Sequence, residues 1–431
     1  MQTNLRPIAS LLLGVALLLA CNGLQFTLLP LRGQADGFNA LALGFIGSAY
    51  YAGFVVGCVF APNLILRAGH IRAFTALVAM VAVVALAYPL ANAVIAWVLF
   101  RLVNGFCIAG FYLVIESWLN DRATNETRGL VMSAYIIVNY AAFTVGQLMV
   151  TIYPVLGSES FMLAAMLASL AIVPVALTRS AQPAPITIFS FRPLQLYHAA
   201  PVGLVASLMV GLSIGSFLSL GPLSAKDNGL SVDQVALFMG LATLAGAIAQ
   251  WPVGRLSDRH DRRLVLLTLL IGAAATGILL WRFAASGPLL LMFGFLFGAF
   301  ALPGYSLAAA HAYDKTPAGD TVPTAATLLL ANALGAVIGP LLAPLVMSAL
   351  GPRSLFLFIA GAQLLLAVYV FYRTTVMPSL SAPEKIEFEF VATSPVGGVV
   401  TNEVPDVTDP SVVVPEPYES SDTGDETAPI P

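Results

Sequence analysis

The chain has 431 residues, of which 58% are hydrophobic and only 10% are charged, and its mean hydropathy is +0.88. Soluble globular domains use about 45–50% apolar residues, so this composition excludes one and predicts a polytopic membrane protein. The formal net charge of −3 comes from an acidic C-terminal segment, because the rest of the chain is net positive.

Twelve apolar runs follow one another along the chain, and each is long enough to cross a bilayer, which takes about 20 helical residues. None of the runs alternates polar and apolar residues as a barrel strand would, so all are predicted to be helices. The predicted spans are residues 8–31, 40–66, 74–91, 93–118, 129–152, 161–178, 201–223, 234–254, 264–284, 288–311, 323–350 and 355–373. We therefore expect an all-α integral membrane protein with twelve transmembrane helices.

The basic residues predict how the chain lies in the membrane. With the N-terminus in the cytoplasm, fourteen of the 19 Lys and Arg residues fall in cytoplasmic segments and four in outer loops, while Arg101 lies inside a span. Basic residues near helix ends resist translocation, so this bias places both termini in the cytoplasm. A net positive membrane-embedded part that faces anionic lipid is typical of the inner (plasma) membrane, where we expect the protein.

The two halves of the chain repeat at an offset of 192 residues. The matching pairs are Gly23 with Gly215, Pro30 with Pro222, and Arg67 with Arg259. Duplicated halves are common in transporters. The expected organisation is an N-terminal six-helix bundle over 1–178, a cytoplasmic loop over 179–200, a C-terminal six-helix bundle over 201–375 and a cytoplasmic tail over 376–431. The tail holds eleven acidic residues and nine prolines, a composition that predicts disorder.

A run of charged residues from Gly254 to Arg263 separates the eighth and ninth spans and predicts a short cytoplasmic loop. This run follows the pattern G-x-x-x-D-R-x-G-R-R, with Asp261 where the pattern has its second glycine. A weaker copy after the second span keeps Arg67 and Gly69.

The charged pattern resembles the signature of the major facilitator superfamily, and the resemblance covers about residues 7–375. The series Arg101, Gly105 and Ala109 in the fourth span is similar to a further pattern of that family. The runs 116–120 and 250–252 resemble the YcaD-like branch of its transporters. The resemblance implies two pseudo-symmetric six-helix bundles around a central cavity, lined chiefly by the first, fourth, seventh and tenth helices.

By resemblance, the charged run would form a cytoplasmic gate that locks one face of the cavity. The expected gate residues are Gly254, Asp258, Arg259, Arg262, Arg263, Arg67, Glu116 and Asp314. Asp314 is the expected partner of Arg259. Glu116 is expected to pair with Arg67, or with Arg122 and Arg128, or else to act as a proton carrier. The alternative role for the charged run is a positive-inside anchor that does not switch.

Polar and ionisable residues inside the spans predict the substrate site, because they are costly in lipid and tend to face a cavity or another helix. Arg101 is expected to contact an anionic substrate or relay a coupling ion, or else to be a structural arginine satisfied by neighbouring carbonyls. The further candidates are Asn22, Gln25, Asn104, Tyr140, Gln147, Ser213, Ser216, Tyr305 and Asn332. Hydrogen bonding between helices is the alternative role for all of them.

These features predict a secondary transporter that moves a small neutral or weakly anionic organic solute by alternating access, with proton coupling left open. The alternative is a polytopic membrane enzyme or sensor. An enzyme is disfavoured because the four histidines lack HExxH spacing, and a pump because no phosphate-binding glycine loop is present. We expect no cofactor, metal, catalytic residue or nucleic-acid partner, and a monomer in contact with the bilayer and its substrate.

Overall fold

The computed structural model describes residues 6–123, 127–177, 191–283, 287–317 and 320–376. These residues form α-helices joined by short connections, and they contain no strand. The helices are α1 Arg6–Ala35, α2 Ala40–Ala68, α3 His70–Ala87, α4 Val94–Arg122, α5 Arg128–Leu148, α6 Glu159–Ala176, α7 Pro193–Ala199, α8 Pro201–Asp227, α9 Val232–Arg259, α10 Arg262–Arg282, α11 Gly287–Ala301, α12 Gly304–Tyr313, α13 Thr321–Leu350 and α14 Ser354–Val376.

Twelve stretches of the described chain are long and apolar enough to cross a membrane, which confirms the predicted number of spans. Helices α1 to α6 are the first six spans, and α8 to α10 are the seventh to ninth. The tenth span consists of α11 and α12, which are separated at Leu302 and Pro303, where the proline lacks the N–H that a continuous helix would use. Helices α13 and α14 complete the set, and α7 is a short helix ahead of α8.

The structure corrects the loop predicted between the eighth and ninth spans. Helix α9 continues to Arg259 and α10 begins at Arg262, so only His260 and Asp261 connect them. The predicted span ended at the last apolar residue, whereas a helix keeps its backbone hydrogen bonds beyond the hydrocarbon core. The charged pattern therefore lies mostly on two helix ends, in fixed positions.

Helix contacts made through glycine repeat between the two halves. A Cβ atom on Gly105 of α4 would collide with the carbonyl oxygen of Tyr50 in α2. In the second half, a Cβ atom on Gly298 of α11 would collide with the carbonyl oxygen of Ala242 in α9. The backbones of α2 and α4, and of α9 and α11, approach this closely only because glycine has no side chain.

A second pair of glycine contacts repeats in the same way. Gly23 and Gly146 hold α1 against α5, and Gly215 and Gly339 hold α8 against α13. The first two helices of each half keep the offset of 192, and the later helices are offset by 193. The halves are thus pseudo-symmetric in packing as well as in sequence.

The first six spans contact the last six through α2 with α13, α1 and α2 with α8, and α5 with α9. The Ser48 hydroxyl of α2 donates a hydrogen bond to the Val337 carbonyl of α13 at 2.7 Å. The Gln34 amide of α1 hydrogen-bonds to the Asp227 carboxylate of α8. Both contacts lie toward the ends at which α1 connects to α2 and α8 to α9, and this end is called the connecting end below.

Two predicted segments fall largely outside the described residues. The cytoplasmic loop 179–200 is described only from Phe191 onward, and the acidic tail 376–431 only at Val376. The domain boundaries given above stay predictions.

Candidate functional site

Arg101 is a buried cation in α4, two turns after the helix begins at Val94, and only 3% of it is exposed. Its guanidinium carbon lies 4.5 Å from the centre of the Phe26 ring and 4.6 Å from that of Tyr50. Its Nε and Nη1 atoms are buried and have no hydrogen-bond partner among the described residues. The rings stabilise the charge, but they leave these N–H donors unpaired.

Three amide side chains lie beside Arg101 and its rings. Asn22 of α1 donates a hydrogen bond to the Tyr50 hydroxyl at 3.2 Å. Asn104, one turn after Arg101, donates to the Gln25 side chain at 3.3 Å. The resulting Arg101 cluster consists of Asn22, Gln25, Phe26, Tyr50, Arg101 and Asn104. Four residues that the sequence predicted as substrate contacts are therefore brought together.

Two amide oxygens in the Arg101 cluster also lack partners. The Oδ1 atoms of Asn22 and Asn104 are buried and accept no hydrogen bond from a described residue. An unpaired buried polar group costs about 1–3 kcal/mol, so folded proteins rarely keep several of them in one place. Buried donors on Arg101 and buried acceptors on two asparagines, all without partners among the described residues, are typical of a site that takes a polar ligand.

Glu116 lies about four turns after Arg101 on α4, and it is 1% exposed. The Tyr135 hydroxyl of α5 donates a hydrogen bond to its Oε1 atom at 3.3 Å. Its carboxylate also acts electrostatically on the Tyr305 hydroxyl of α12, in the second half. The expected pair with Arg67 is wrong, because Arg67 is exposed at the end of α2 and forms no ion pair within the described chain.

Tyr140 and Gln147 of α5 lie at the contact with α9. Gln250 of α9 donates to the Tyr140 hydroxyl at 2.8 Å, and the Thr243 hydroxyl donates to the Gln147 Oε1 atom at 2.9 Å. Both bonds join the first half to the second. The sequence analysis missed Thr243 and Gln250, although their spacing of seven residues places them two turns apart on one face of α9.

The polar candidates of the second half hydrogen-bond within that half. The hydroxyls of Ser213 and Ser216 donate to carbonyls one turn earlier in α8. Asn332 of α13 donates to the Ser207 carbonyl at 3.1 Å. Tyr305 of α12 is 4% exposed. The three bonded residues match the alternative role of hydrogen bonding within and between helices.

Arg262 forms the central ion pair of the charged pattern. Its side chain is 1% exposed, that of Asp314 is 2% exposed, and the Nε and Oδ2 atoms are 2.7 Å apart. Asp314 follows α12, and it was expected to pair with Arg259, but Arg259 ends α9 and is exposed. Arg262 reaches Asp314 because it opens α10, which packs against α12. The guanidinium also lies 3.4 Å from Asp258.

Gly254 supports the same ion pair from within α9. The glycine is buried, and its carbonyl accepts a hydrogen bond from the Ser257 hydroxyl at 2.8 Å. That hydroxyl in turn accepts a hydrogen bond from Arg262 at 3.2 Å. The end of α9 is thereby tied to the start of α10.

Asp261 is the N-cap residue of α10, and the sequence analysis noted it only as a departure from the expected glycine. It accepts a hydrogen bond from the Arg263 backbone at 2.9 Å and pairs with the Arg263 guanidinium at 2.8 Å. Burial acts to raise the pKa of Asp261, but the side-chain and backbone hydrogen bonds from Arg263 outweigh it and hold the pKa below its ordinary value. Arg263 also donates to the Arg373 carbonyl at 3.2 Å, which joins α10 to α14.

The ion pairs of the charged pattern therefore form within the second half. The α10 clasp consists of Asp258, Asp261, Arg262, Arg263 and Asp314. It connects α9, α10 and α12, while Arg67 and Arg259 stay exposed without an ion pair in the described part of the chain. No group of three or more His, Cys, Asp or Glu side chains among the described residues could hold a metal ion.

Known proteins resemble this chain in sequence over most of its length. Residues 203–404 match the family model of the Major Facilitator Superfamily. The uncharacterized MFS-type transporter YcaD of Salmonella arizonae is 29% identical over 370 residues, which covers 84% of this chain and 94% of that protein.

Solved transporter structures share the fold. The nucleoside transporter NupG superimposes with a TM-score of 0.67 at 15% identity, over 84% of this chain and 98% of that one. A bacterial homolog of the human lysosomal transporter Spinster, inward-facing and occupied, gives a TM-score of 0.68 at 14% identity, over 88% of this chain and 98% of that one. These structures and the sequence relatives are named as transporters, and the chain is similar to the major facilitator superfamily over the residues that match its family model.

Proposed function

We propose that this transporter moves a small organic solute across the inner (plasma) membrane by alternating access between its two halves. The observation that carries the proposal is the Arg101 cluster, a buried polar site in the first half whose donors and acceptors include several without partners among the described residues. A membrane protein keeps such groups where they serve a substrate or ion path, because each is costly in lipid.

The contacts between the halves support alternating access. The named contacts of α1 and α2 with α8 and α13 lie at the connecting end, which the basic residues predict to face outward. Charged groups at the opposite end pair within the second half. This arrangement is the one expected of a transporter that is closed on its outer side.

A thermal-shift screen of the detergent-purified protein against metabolites and drugs tests the location of the substrate site. Compounds that raise the unfolding temperature of the wild type are expected to lose that effect in Arg101→Gln, because the variant removes the charge of the cluster. Arg282→Gln is the matched control, since Arg282 is exposed at the end of α10. A set of ligands that act equally on Arg101→Gln and the wild type would remove Arg101 from the site.

The α10 clasp and the exposed Arg67 and Arg259 form the cytoplasmic gate in this proposal. The two arginines occupy equivalent positions in the two halves, and both are exposed without an ion pair among the described residues. They are thus available to acids of the opposite half when the cytoplasmic end closes. If Asp258→Asn and Arg259→Gln leave both expression and transport intact, the gate is refuted and the anchor role stands.

Proton coupling in this proposal runs through Glu116. The carboxylate is buried, accepts a hydrogen bond from Tyr135 and acts electrostatically on Tyr305 of the second half. A carboxyl group that gains or loses a proton on ligand binding should change its infrared C=O band. The change in this band on ligand binding is expected to disappear in Glu116→Gln. It is expected to persist in the control Glu159→Gln, because Glu159 lies at the exposed start of α6. An unchanged spectrum in Glu116→Gln would exclude this carrier.

The orientation is tested by thiol labelling in intact cells, on a background without Cys21, Cys58 and Cys107. A membrane-impermeant reagent is expected to label Glu159→Cys from outside and to reach His260→Cys only after lysis. Labelling of His260→Cys from outside would invert the topology and with it the assignment of both termini to the cytoplasm.

A further inference from the structure

We propose that the substrate is an organic anion that carries hydroxyl or amide hydrogen-bond donors beside its carboxylate, and that the Arg101 cluster selects for both features. The inference rests on the proposed function, because it takes the cluster as the substrate site. Within that site, Arg101 would bind the anionic group of the substrate, and Asn22 and Asn104 would bind its hydrogen-bond donors.

The fold does not require this cluster, because the second half is built without it. At equivalent positions of the duplicated halves, Arg101 corresponds to Gly294 and Asn22 to Ile214. The contact between Gln25 and Asn104 corresponds to a contact between the rings of Phe217 and Phe297, whose centres are 5.0 Å apart. The same helix crossing is therefore packed with aromatic side chains in one half and with polar side chains in the other.

The polar cluster also carries a cost that the apolar version avoids. The Nε and Nη1 donors of Arg101 and two amide oxygens are buried without partners among the described residues, whereas the side chains of Phe217 and Phe297 have no polar atom to pair. A purely structural role would favour the apolar version. The difference between the halves thus assigns the polar side chains to ligand recognition.

The unpaired atoms define the complementary ligand. Nε and Nη1 of Arg101 need acceptors, and a carboxylate provides charged ones. The Oδ1 atoms of Asn22 and Asn104 need donors, which a carboxylate alone does not offer. A ligand that fills the cluster therefore combines an anionic acceptor with neutral donors.

The charge of the cluster argues against a cationic ligand. Arg101 is the only ionised member of the cluster, and its guanidinium lies over the rings of Phe26 and Tyr50. Arg101 also acts electrostatically on the neutral side chains of Cys21, Tyr50, Tyr51 and Tyr88. An ammonium group would meet this positive charge and, among the described residues of the cluster, no carboxylate, so its binding would be unfavourable.

The test measures stabilisation of the full-length protein in detergent by three matched series of compounds. Hydroxycarboxylates from glycolate to gluconate carry both features, unsubstituted carboxylates from acetate to hexanoate carry only the charge, and polyols from ethylene glycol to sorbitol carry only the donors. At least one hydroxycarboxylate is expected to bind about tenfold more tightly than its matched carboxylate and its matched polyol, since each unmatched group forfeits a hydrogen bond or an ion pair.

Variants separate the two halves of the inference. Arg101→Gln is expected to abolish stabilisation by the hydroxycarboxylate. Asn104→Leu is expected to reduce severalfold the difference in binding between the hydroxycarboxylate and the matched plain carboxylate. Arg282→Gln serves as the control that should change neither, because Arg282 is exposed at the end of α10 and lies outside the cluster.

Each contrary result overturns a specific part of the inference. If plain carboxylates bind as tightly as their matched hydroxycarboxylates, the requirement for donors is refuted. If polyols bind as tightly as their matched hydroxycarboxylates, or if no hydroxycarboxylate stabilises the protein, the anionic class is refuted. If a cationic or neutral ligand stabilises the wild type but not Arg101→Gln, the proposed substrate site is supported and the proposed class of organic anions is refuted. Ligands that bind Arg101→Gln as well as the wild type would instead reject the site itself.

Discussion

At the scale of single residues, the arginines of this protein differ in what balances their charge. Arg262 is buried against the Asp314 carboxylate, while Arg101 is buried against aromatic rings without a carboxylate in the described chain. Removing one partner of a buried ion pair leaves the other charge uncompensated, which is far costlier than losing an exposed pair. The two arginines therefore give different outcomes when their surroundings are mutated.

We expect Asp314→Asn to destabilise the protein by about 3–5 kcal/mol, because it leaves the Arg262 charge buried without its main partner. Asp258→Asn is the matched control. It removes the longer contact to the same guanidinium, and the Asp258 side chain is 38% exposed, so the expected loss is below about 1 kcal/mol. Unfolding midpoints in one detergent provide the measurement, and similar losses for both variants would show that Arg262 does not depend on Asp314.

The lowered pKa of Asp261 predicts a loss of stability in acid. Its stabilising contribution is complete above the pKa of the unfolded chain, near 4, and is lost as the pH falls through the lower pKa of the folded state. Asp261→Asn keeps a side chain able to cap α10 but removes the titration. The variant is expected to lose less stability than the wild type between about pH 5 and pH 3. Superimposable acid profiles would show that Asp261 does not contribute to the pH dependence.

At the scale of helices, glycines set how closely the spans approach. Gly105 and Gly298 occupy equivalent places, each against the carbonyl of a neighbouring helix. These contacts fix the rotation of α4 and α11 about their axes, and in α4 the rotation directs Arg101 and Asn104 toward α1 and α2. The positions of the polar residues thus depend on glycines that carry no chemistry.

We expect Gly105→Ala and Gly298→Ala each to destabilise the protein by about 1–3 kcal/mol, because the added methyl group meets backbone atoms that have no room to move. Gly361→Ala in α14 is the control, since no atom lies within 4 Å of the added Cβ, and a change of at most about 1 kcal/mol in either direction is expected. The unfolding temperatures of the three variants, compared with that of the wild type, provide the measurement. Unequal effects at Gly105 and Gly298 would contradict their equivalence.

The sequence predicted elements well and partners poorly, for physical reasons. Hydrophobicity alone marks a membrane span, so all twelve spans were predicted. The hydrophobic pattern stops at the last apolar residue, however, whereas helix α9 continues to Arg259. The rings of Phe26 and Tyr50 beside Arg101 were not predicted, because an aromatic residue in a span serves equally well against lipid or protein. The partner of Asp314 was misassigned because spacing along α9 and α10 does not show which arginine faces α12.

At the scale of the whole molecule, the halves meet closely at the connecting end. Gly47 of α2 makes this contact possible, because a Cβ there would lie only 2.5 Å from the Ser219 side chain of α8. Bulk at this position should therefore separate the halves at this end, with little effect on packing inside either half.

This separation is measurable by cross-linking. On a background without native cysteines, Gln34→Cys and Asp227→Cys are expected to be joined by a short bifunctional thiol reagent, since the native side chains hydrogen-bond. Gly47→Leu should lower the cross-linking yield severalfold. Gly129→Leu is the control, because no atom lies within 4 Å of a Cβ at that position. An unchanged yield in Gly47→Leu would show that α2 and α8 do not hold this end closed.

The change of offset from 192 to 193 has a consequence for how the chain tolerates insertions. One extra residue in the second half is absorbed between the start of α10 at Arg262 and the start of α11 at Gly287, since the glycine contacts on either side are preserved. Length can therefore vary where a segment turns back at the bilayer surface. Between the surface and a glycine crossing, one added residue would rotate every later side chain by about 100°, and polar groups that now face protein would point into lipid.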